Sequence, residues 1–422
     1  MTQVLFQLIT DPSSVIIIFM SYSKLNPIIK KFILVVFLYG LTSASFNGFF
    51  GIYIKELGFN ESIVGEILSI RRFSVGILAF LIAIISNKIG HKKSLLIGLI
   101  TVGISSILIV MTEELYVMRI LAVVFGFGQA AMMTVESPFI YDQTDSEERV
   151  HAFSLAFAVR NAAFMTGSLL TGLLADYFSV HITSTVESIR YALIITSAIS
   201  LLAVIPLLRL KPKETVPVKK LSLSEFKGFF TRLNVMFLIY TSFIGLGAGL
   251  VVPFFGIYLK YMLETSESIV GLILSFAQLG TVIGGLSVPF LSKRIGNYRT
   301  IIATQILSIP LLIMIGLPQG LIIVAIAFFL RSSLMNMSQP LIRNISMHII
   351  SDHQRSLMSA MRAMVNNLAR ALGILIGGFL MSQYSYNTPY MFTIIFYIIG
   401  TIIFYSIFKG DANKESKQLV DD

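Results

Sequence analysis

Eight ionisable side chains stand inside long apolar runs: Glu66, Arg71, Arg72, Glu136, Arg160, Arg331, Arg362 and Arg370. A charge in such a setting is costly and marks a functional position by default. Six arginines face only two acids, so pairing alone leaves guanidinium groups over. Arginine offers a planar fork of donors that suits carboxylate or phosphate. The chemistry expected is reception of an anionic group in a cationic cavity. The plain alternative is that each arginine is neutralised by Glu66, Glu136, helix-end carbonyls or water. Glu136 and Glu66 are the candidates for carrying a coupling proton; their plain alternatives are a salt bridge for Glu136 and a rim position for Glu66.

Helical spacing sorts these residues. Ser62, Glu66, Ser69 and Arg72 fall at i, i+4, i+7 and i+10 and share one side, while Arg71 is expected to point roughly opposite. Arg362, Asn366 and Arg370 form a second stripe, and Gln129 and Glu136 lie seven apart. The expected binding set is Arg72, Gln129, Gln278, Arg331, Arg362 and Asn366. Met132, Met133, Met335 and Met337 flank it; methionine adapts to varied apolar shapes but at helical spacing is more often packing. No tryptophan is present to stack a sugar.

The elements that position these residues follow from composition. Apolar residues make up 55% of the chain and charged residues 13%, about half the charged share of a soluble protein. Runs of roughly twenty apolar residues cross a bilayer as helices. Spans are read at about 32–55, 62–86, 94–112, 116–141, 150–175, 190–208, 233–259, 268–291, 300–317, 320–343, 354–382 and 388–408. The expected fold is an all-α integral membrane protein. Of the 32 Lys and Arg, twenty-two fall on the side of the termini and four opposite, so both termini are expected in the cytoplasm. Residues 1–31 read as an N-terminal cytoplasmic segment, 209–232 as a cytoplasmic linker with Pro212 and Pro217, and 409–422 as a tail. Residues 1–19 read either as a loose amphipathic segment or as the product of an upstream start, with translation beginning at Met20.

The chain also repeats itself. "FFGIYIK" at 49–55 returns as "FFGIYLK" at 254–260, and "ESIVG" at 61–65 returns at 267–271. "KIGHKKS" at 88–94 returns as "RIGNYRT" at 294–300, and Asn161 and Gly167 match Asn367 and Gly373. Two parallel six-helix halves, 32–208 and 233–408, are therefore expected. Repeats of this kind build secondary transporters, whose site lies at the interface of the halves. The repeat pairs Arg72 with Gln278, Arg71 with Ala277, and Gln129 with Arg331. Asp145-x-x-Glu148 and Ser351-x-x-Gln354 have capping-box form, and Gly373-x-x-x-Gly377 permits close helix contact.

These features resemble the major facilitator superfamily over residues 30–408. The family's signature between its second and third spans, G-x-L-a-D-r-x-G-r-k, reads "AIISNKIGHKK" at 83–93. Gly90, Lys88, Lys92 and Lys93 match, whereas Ala83 and Asn87 replace the first glycine and the aspartate. The second copy, "PFLSKRIGNYR" at 289–299, carries Lys293 at the aspartate position. The resemblance implies a gating role for Asn87, Lys88, Gly90, Lys92, Lys293, Arg294 and Gly296, without the latch that the aspartate gives the family. "RILAVVFGFGQAA" at 119–131 resembles the family's fourth-span segment with a longer spacing. "NAAFMTGSLLTG" at 161–172 lacks the proline of a proton-driven drug antiporter.

No cysteine, no clustered histidine and no phosphate-binding GxxxxGK[ST] loop occurs, so neither metal, cofactor nor nucleotide hydrolysis is expected. The basic residues sit in connectors, which argues against a nucleic-acid partner. The five histidines lie in loops or at span ends, away from any catalytic cluster at membrane depth. The resemblance implies secondary active transport by alternating access in a prokaryotic cytoplasmic membrane, by a monomer. A small anionic or zwitterionic amphipathic solute, proton-coupled export and a bilayer environment complete the expectation. The alternatives are a proton-driven multidrug pump for cationic or neutral drugs, and a non-transporting sensor on the same fold.

Overall fold

The computed structural model describes residues 25–182, 184–212, 228–317, 320–350 and 354–421. Among these residues every regular element is a helix, and twelve are long and apolar enough to span a membrane. They are α1 (Pro27–Glu56), α2 (Glu61–Ile89), α3 (His91–Met111), α4 (Leu115–Gln143), α5 (Ser146–His181) and α6 (Thr185–Leu208). The second six are α7 (Arg232–Met262), α8 (Glu267–Ile295), α9 (Asn297–Gly316), α10 (Leu321–His348), α11 (Arg355–Gln383) and α12 (Thr388–Asp421). Large apolar side chains such as Phe80, Val180, Ile322 and Met391 face outward, as lipid requires.

Helix ends follow local chemistry rather than hydropathy. The Asn26 side chain accepts from the Ile28 and Ile29 N–H groups, and Pro27 stands at the first helical position. α1 therefore starts inside the expected N-terminal segment, and α12 continues through the expected tail. The capping box at α5 forms by half: Asp145 accepts from the Glu148 N–H at 3.0 Å, while Glu148 accepts from Asn26 instead. Most of the expected linker, Ser351 and residues 1–24 lie outside the described residues. Gly90 and Gly296 hold φ of +89° and +86° between α2 and α3 and between α8 and α9, which favours glycine there. The last turns of α7 change character. Val252–Phe254 is a 3₁₀ turn, Phe255–Ile257 returns to α, and Tyr258–Met262 widens to π. Pro253 has no N–H to give the preceding turn, which breaks the α ladder at that point.

The repeat is visible in packing. α1 packs on α5 and α6, α2 on α4, and α3 on α4 and α6; the pairs six helices later pack likewise. The halves meet where α2 lies along α11 and where α8 lies along α5. Antiparallel contact fixes the register: Gly65 meets Gly378 and Gly271 meets Ser168. Ser69 Oγ donates to the Ala371 carbonyl at 2.7 Å, and Ser275 Oγ to the Met165 carbonyl at 3.0 Å. Gly373 and Gly377 seat α11 against the Leu246 and Leu250 carbonyls of α7. The repeated heptad does one job twice. Tyr53 OH donates to the Val110 carbonyl at 2.6 Å, and its counterpart Tyr258 donates to the Ile315 carbonyl. Lys55 pairs with Glu61, and its counterpart Lys260 pairs with Glu267.

Candidate functional site

Between the halves lies a chamber of about 330 Å³ walled by α1, α2, α5, α7, α8, α10, α11 and α12. Arg71, Arg72, Arg331 and Arg370 line it, together with Asn47, Gln278, Asn336 and Tyr397, and among the described residues no carboxylate does. Leu68, Phe164, Ile244, Phe255 and Leu274 form the apolar part of the wall. The four arginines come from near the midpoints of their helices. Arg72 on α2 stands within electrostatic reach of Arg370 on α11, and Arg370 within reach of Arg331 on α10.

Neutral partners hold two of the four. Arg71 donates to Asn47 Oδ1 at 2.9 Å and lies 5.1 Å from the Phe125 ring centre. Arg331 donates to Tyr397 OH at 3.3 Å and lies 5.1 Å from the Phe255 ring centre. Both contacts are of the cation–aromatic kind, strengthened by desolvation. The Nε atoms of Arg331 and Arg370 and the Nη1 of Arg71 are buried without a hydrogen-bond partner. Among the described residues no ion pair reaches Arg71, Arg72, Arg331, Arg362 or Arg370.

The two in-span acids are spent elsewhere. Glu136 is buried on α4 and pairs with the half-exposed Arg160 on α5. Glu66 accepts two bonds from Arg119 of α4, at 2.6 and 3.0 Å, beside a shallow outer groove between α2 and α11. Neither acid lines the chamber.

The structure brings Arg72, Gln278 and Arg331 of the expected binding set into the chamber wall. It adds Arg370 and Arg71, which stand outside that set. Arg71 does not point away from Arg72; both reach the chamber because long side chains from adjacent positions converge there. Gln129, Arg362 and Asn366 stand outside the wall. Gln129 is buried beside Tyr39, Asn366 packs against Gly245 of α7, and Arg362 lies nearer Tyr240 and Arg343. The repeat carried the missing signal: Arg370 corresponds to Phe164 and Arg71 to Ala277, and all four line the chamber. Gln278 donates to Asn161 across the halves.

The expected gating residues lie at the side of the termini. Asn87, Lys88, Lys293 and Arg294 are exposed or half-exposed. Lys92 donates to the Leu208 and Leu210 carbonyls at 2.8 and 2.6 Å, tying α3 to the end of α6 within one half. Arg294 lies 4.5 Å from the Phe290 ring centre on its own helix. On the opposite, distal side the halves are joined by charge. Lys55 and the Tyr386 hydroxyl both reach Glu61, and Lys260 reaches Glu267 and, at 3.5 Å, Glu56. Tyr261 donates to Glu56 at 2.7 Å, and the Ser268 N–H donates to Asp176 at 3.1 Å. Burial, and then the Glu61 carboxylate, push the Tyr386 phenol above the usual tyrosine value, which keeps it a donor.

Two six-helix halves around an interfacial chamber define the architecture of a membrane transporter. The family model described as Major Facilitator Superfamily matches residues 32–248 and 237–420, and the chain belongs to that family. It is a multi-pass membrane transporter, not an enzyme. It is 24% identical over 369 residues to Multidrug resistance protein MdtG of Escherichia fergusonii, covering 84% of this chain and 88% of that one. It is 24% identical over 125 residues to Quinolone resistance protein NorA of Staphylococcus aureus, covering 30% of this chain and about a third (32%) of that relative's length. A crystal structure of the nucleoside transporter NupG superposes with a TM-score of 0.76 at 16% identity, covering 91% of this chain and 100% of that one.

Proposed function

We propose that this transporter moves a small organic solute with an anionic head and an apolar body by alternating access, in the direction of export. One observation carries the reading: four arginines and, among the described residues, no carboxylate line the chamber. Buried guanidinium groups without partners are strongly unfavourable unless a ligand answers them, and the apolar wall gives the rest of an amphipathic solute its place. The basic side of the molecule is cytoplasmic by the positive-inside rule, which sets the distal seal on the outside. The direction of export is supported by the names of MdtG and NorA, both resistance proteins. The Glu136–Arg160 pair, toward the cytoplasmic mouth, is the candidate for proton coupling because a carboxylate freed from its partner can exchange a proton. Those same names favour a second reading, efflux of cationic or neutral drugs, against which the four chamber arginines stand.

The test is thermal stabilisation of the protein in lipid nanodiscs by three matched compounds: 3-phenylpropionate, 3-phenylpropanol and 3-phenylpropylammonium. A ligand of the folded state raises its apparent stability by mass action. Stabilisation by the anion alone, lost in Arg72→Gln with Arg331→Gln, is the expected outcome. Equal stabilisation of wild type and double variant by the cation would place the multidrug reading first.

A further inference from the structure

We infer that the transported solute carries a doubly charged head, a phosphate monoester, bridged between Arg72 of one half and Arg370 of the other. The inference rests on the anionic-solute reading above and adds the number of charges. Arg71 and Arg331 already have neutral partners in Asn47 and Tyr397 and aromatic faces in Phe125 and Phe255. Arg72 and Arg370 line the same chamber from opposite halves, within reach of each other's charge, and among the described residues neither meets a carboxylate. One negative charge answers one guanidinium and leaves the other facing a like charge in a chamber lined by four arginines, which is the expensive arrangement. Two charges answer both.

Acceptor count points the same way. A carboxylate offers two oxygens and satisfies one arginine fork. A phosphate monoester offers three oxygens and a charge of about −1.5 to −2 near pH 7, enough for a fork from each side. The bridging position also matters for movement. Arg72 and Arg370 belong to halves that must rock against each other, and their repulsion opposes closure of an empty chamber. A bound dianion turns that repulsion into two attractions, so loading and closure are coupled by the same two side chains.

The test compares 3-phenylpropyl phosphate with 3-phenylpropyl sulfate, a permanent monoanion of the same shape, by ligand binding to the nanodisc protein between pH 5 and 7.5. The second ionisation of a phosphate monoester lies near pH 6, so its affinity is expected to rise about tenfold across that range. The sulfate arm should stay flat. It also reports any titration of the protein's own groups, since the charged and phenolic groups near the site are Arg71, Arg331, Tyr39 and Tyr397, with Glu136–Arg160 beyond. Arginine and tyrosine ordinarily hold their protons over this range. In Arg370→Gln the phosphate should bind no better than the sulfate and lose its pH dependence, while retained sulfate binding shows that the variant is folded. Equal, pH-independent binding of both esters by wild type overturns the dianion and leaves the anionic reading standing. Binding of 3-phenylpropylammonium with neither ester overturns both.

Discussion

The Glu136–Arg160 pair is lopsided. The glutamate side chain is 10% exposed, while the arginine side chain is 48% exposed. Removing either partner therefore has unequal consequences. Glu136→Gln leaves Arg160 with access to water, and stability is expected to change by less than about 1 kcal/mol. Arg160→Gln strands a buried carboxylate, at a cost of about 2 kcal/mol. Thermal denaturation of the two variants in nanodiscs reads the difference, and equal losses would show that the pair is solvated from both sides. The sequence shows that six arginines outnumber two acids inside the spans, but it cannot show which two are answered. Arg119 opens the fourth-span segment at 119–131, yet it takes Glu66 in a two-bond pair because α2 and α4 pack side by side. Partner choice is a tertiary fact. Arg370 was within reach of sequence reasoning, since it stands on the helical stripe with Arg362 and Asn366.

Helices were legible where lipid sets the pattern and illegible where caps or proline do. Hydropathy places all twelve spans because each must bury its backbone polar groups in itself. It does not see that Asn26 starts α1 within the basic segment, nor that Pro253 makes the end of α7 irregular. Close helix contact is also an element-scale property. At Gly65 an added Cβ would stand 2.9 Å from Gly378 Cα, and at Gly271 it would stand 2.5 Å from the Ser168 carbonyl oxygen. Both positions lie on the distal part of the two seams between halves, where backbone rather than a flexible side chain is the obstacle. Gly65→Ala with Gly271→Ala is expected to wedge those seams apart and favour the distal-open arrangement. Because the chain has no cysteine, a single Thr281→Cys in the chamber wall gives a clean readout. Its labelling by a membrane-impermeant maleimide from the distal side should accelerate severalfold in the double variant. An unchanged rate in a folded variant would mean that α2–α11 and α5–α8 contact does not hold the distal side shut.

At the scale of the whole molecule, duplication has produced two distal clusters that are not independent. Lys55–Glu61 is completed by Tyr386 from the other half, and Lys260–Glu267 by Glu56 from the other half. Tyr261 links them, donating to Glu56 at 2.7 Å while Lys55 lies 4.8 Å from its ring centre. Each cluster thus pins one half to the other, and the proposed alternating access would require both to part. A partly exposed pair contributes up to about 1 kcal/mol, roughly a fivefold bias between closed and open arrangements. Loss of one cross-half contact leaves the other in place, so Glu61→Gln or Glu56→Gln alone should leave the distal side predominantly shut. Loss of both removes contacts that Tyr261 links, and coupled contacts of this kind are not additive. The double variant is expected to shift the balance by more than the product of the single effects. Spin labels at Tyr116→Cys and Tyr384→Cys, both highly exposed at the distal end of opposite halves, report the separation directly. A longer distance population confined to the double variant supports a duplicated lock. If either single variant opens the distal side as far as the double, one cluster holds it alone and the second is merely an inheritance of the repeat.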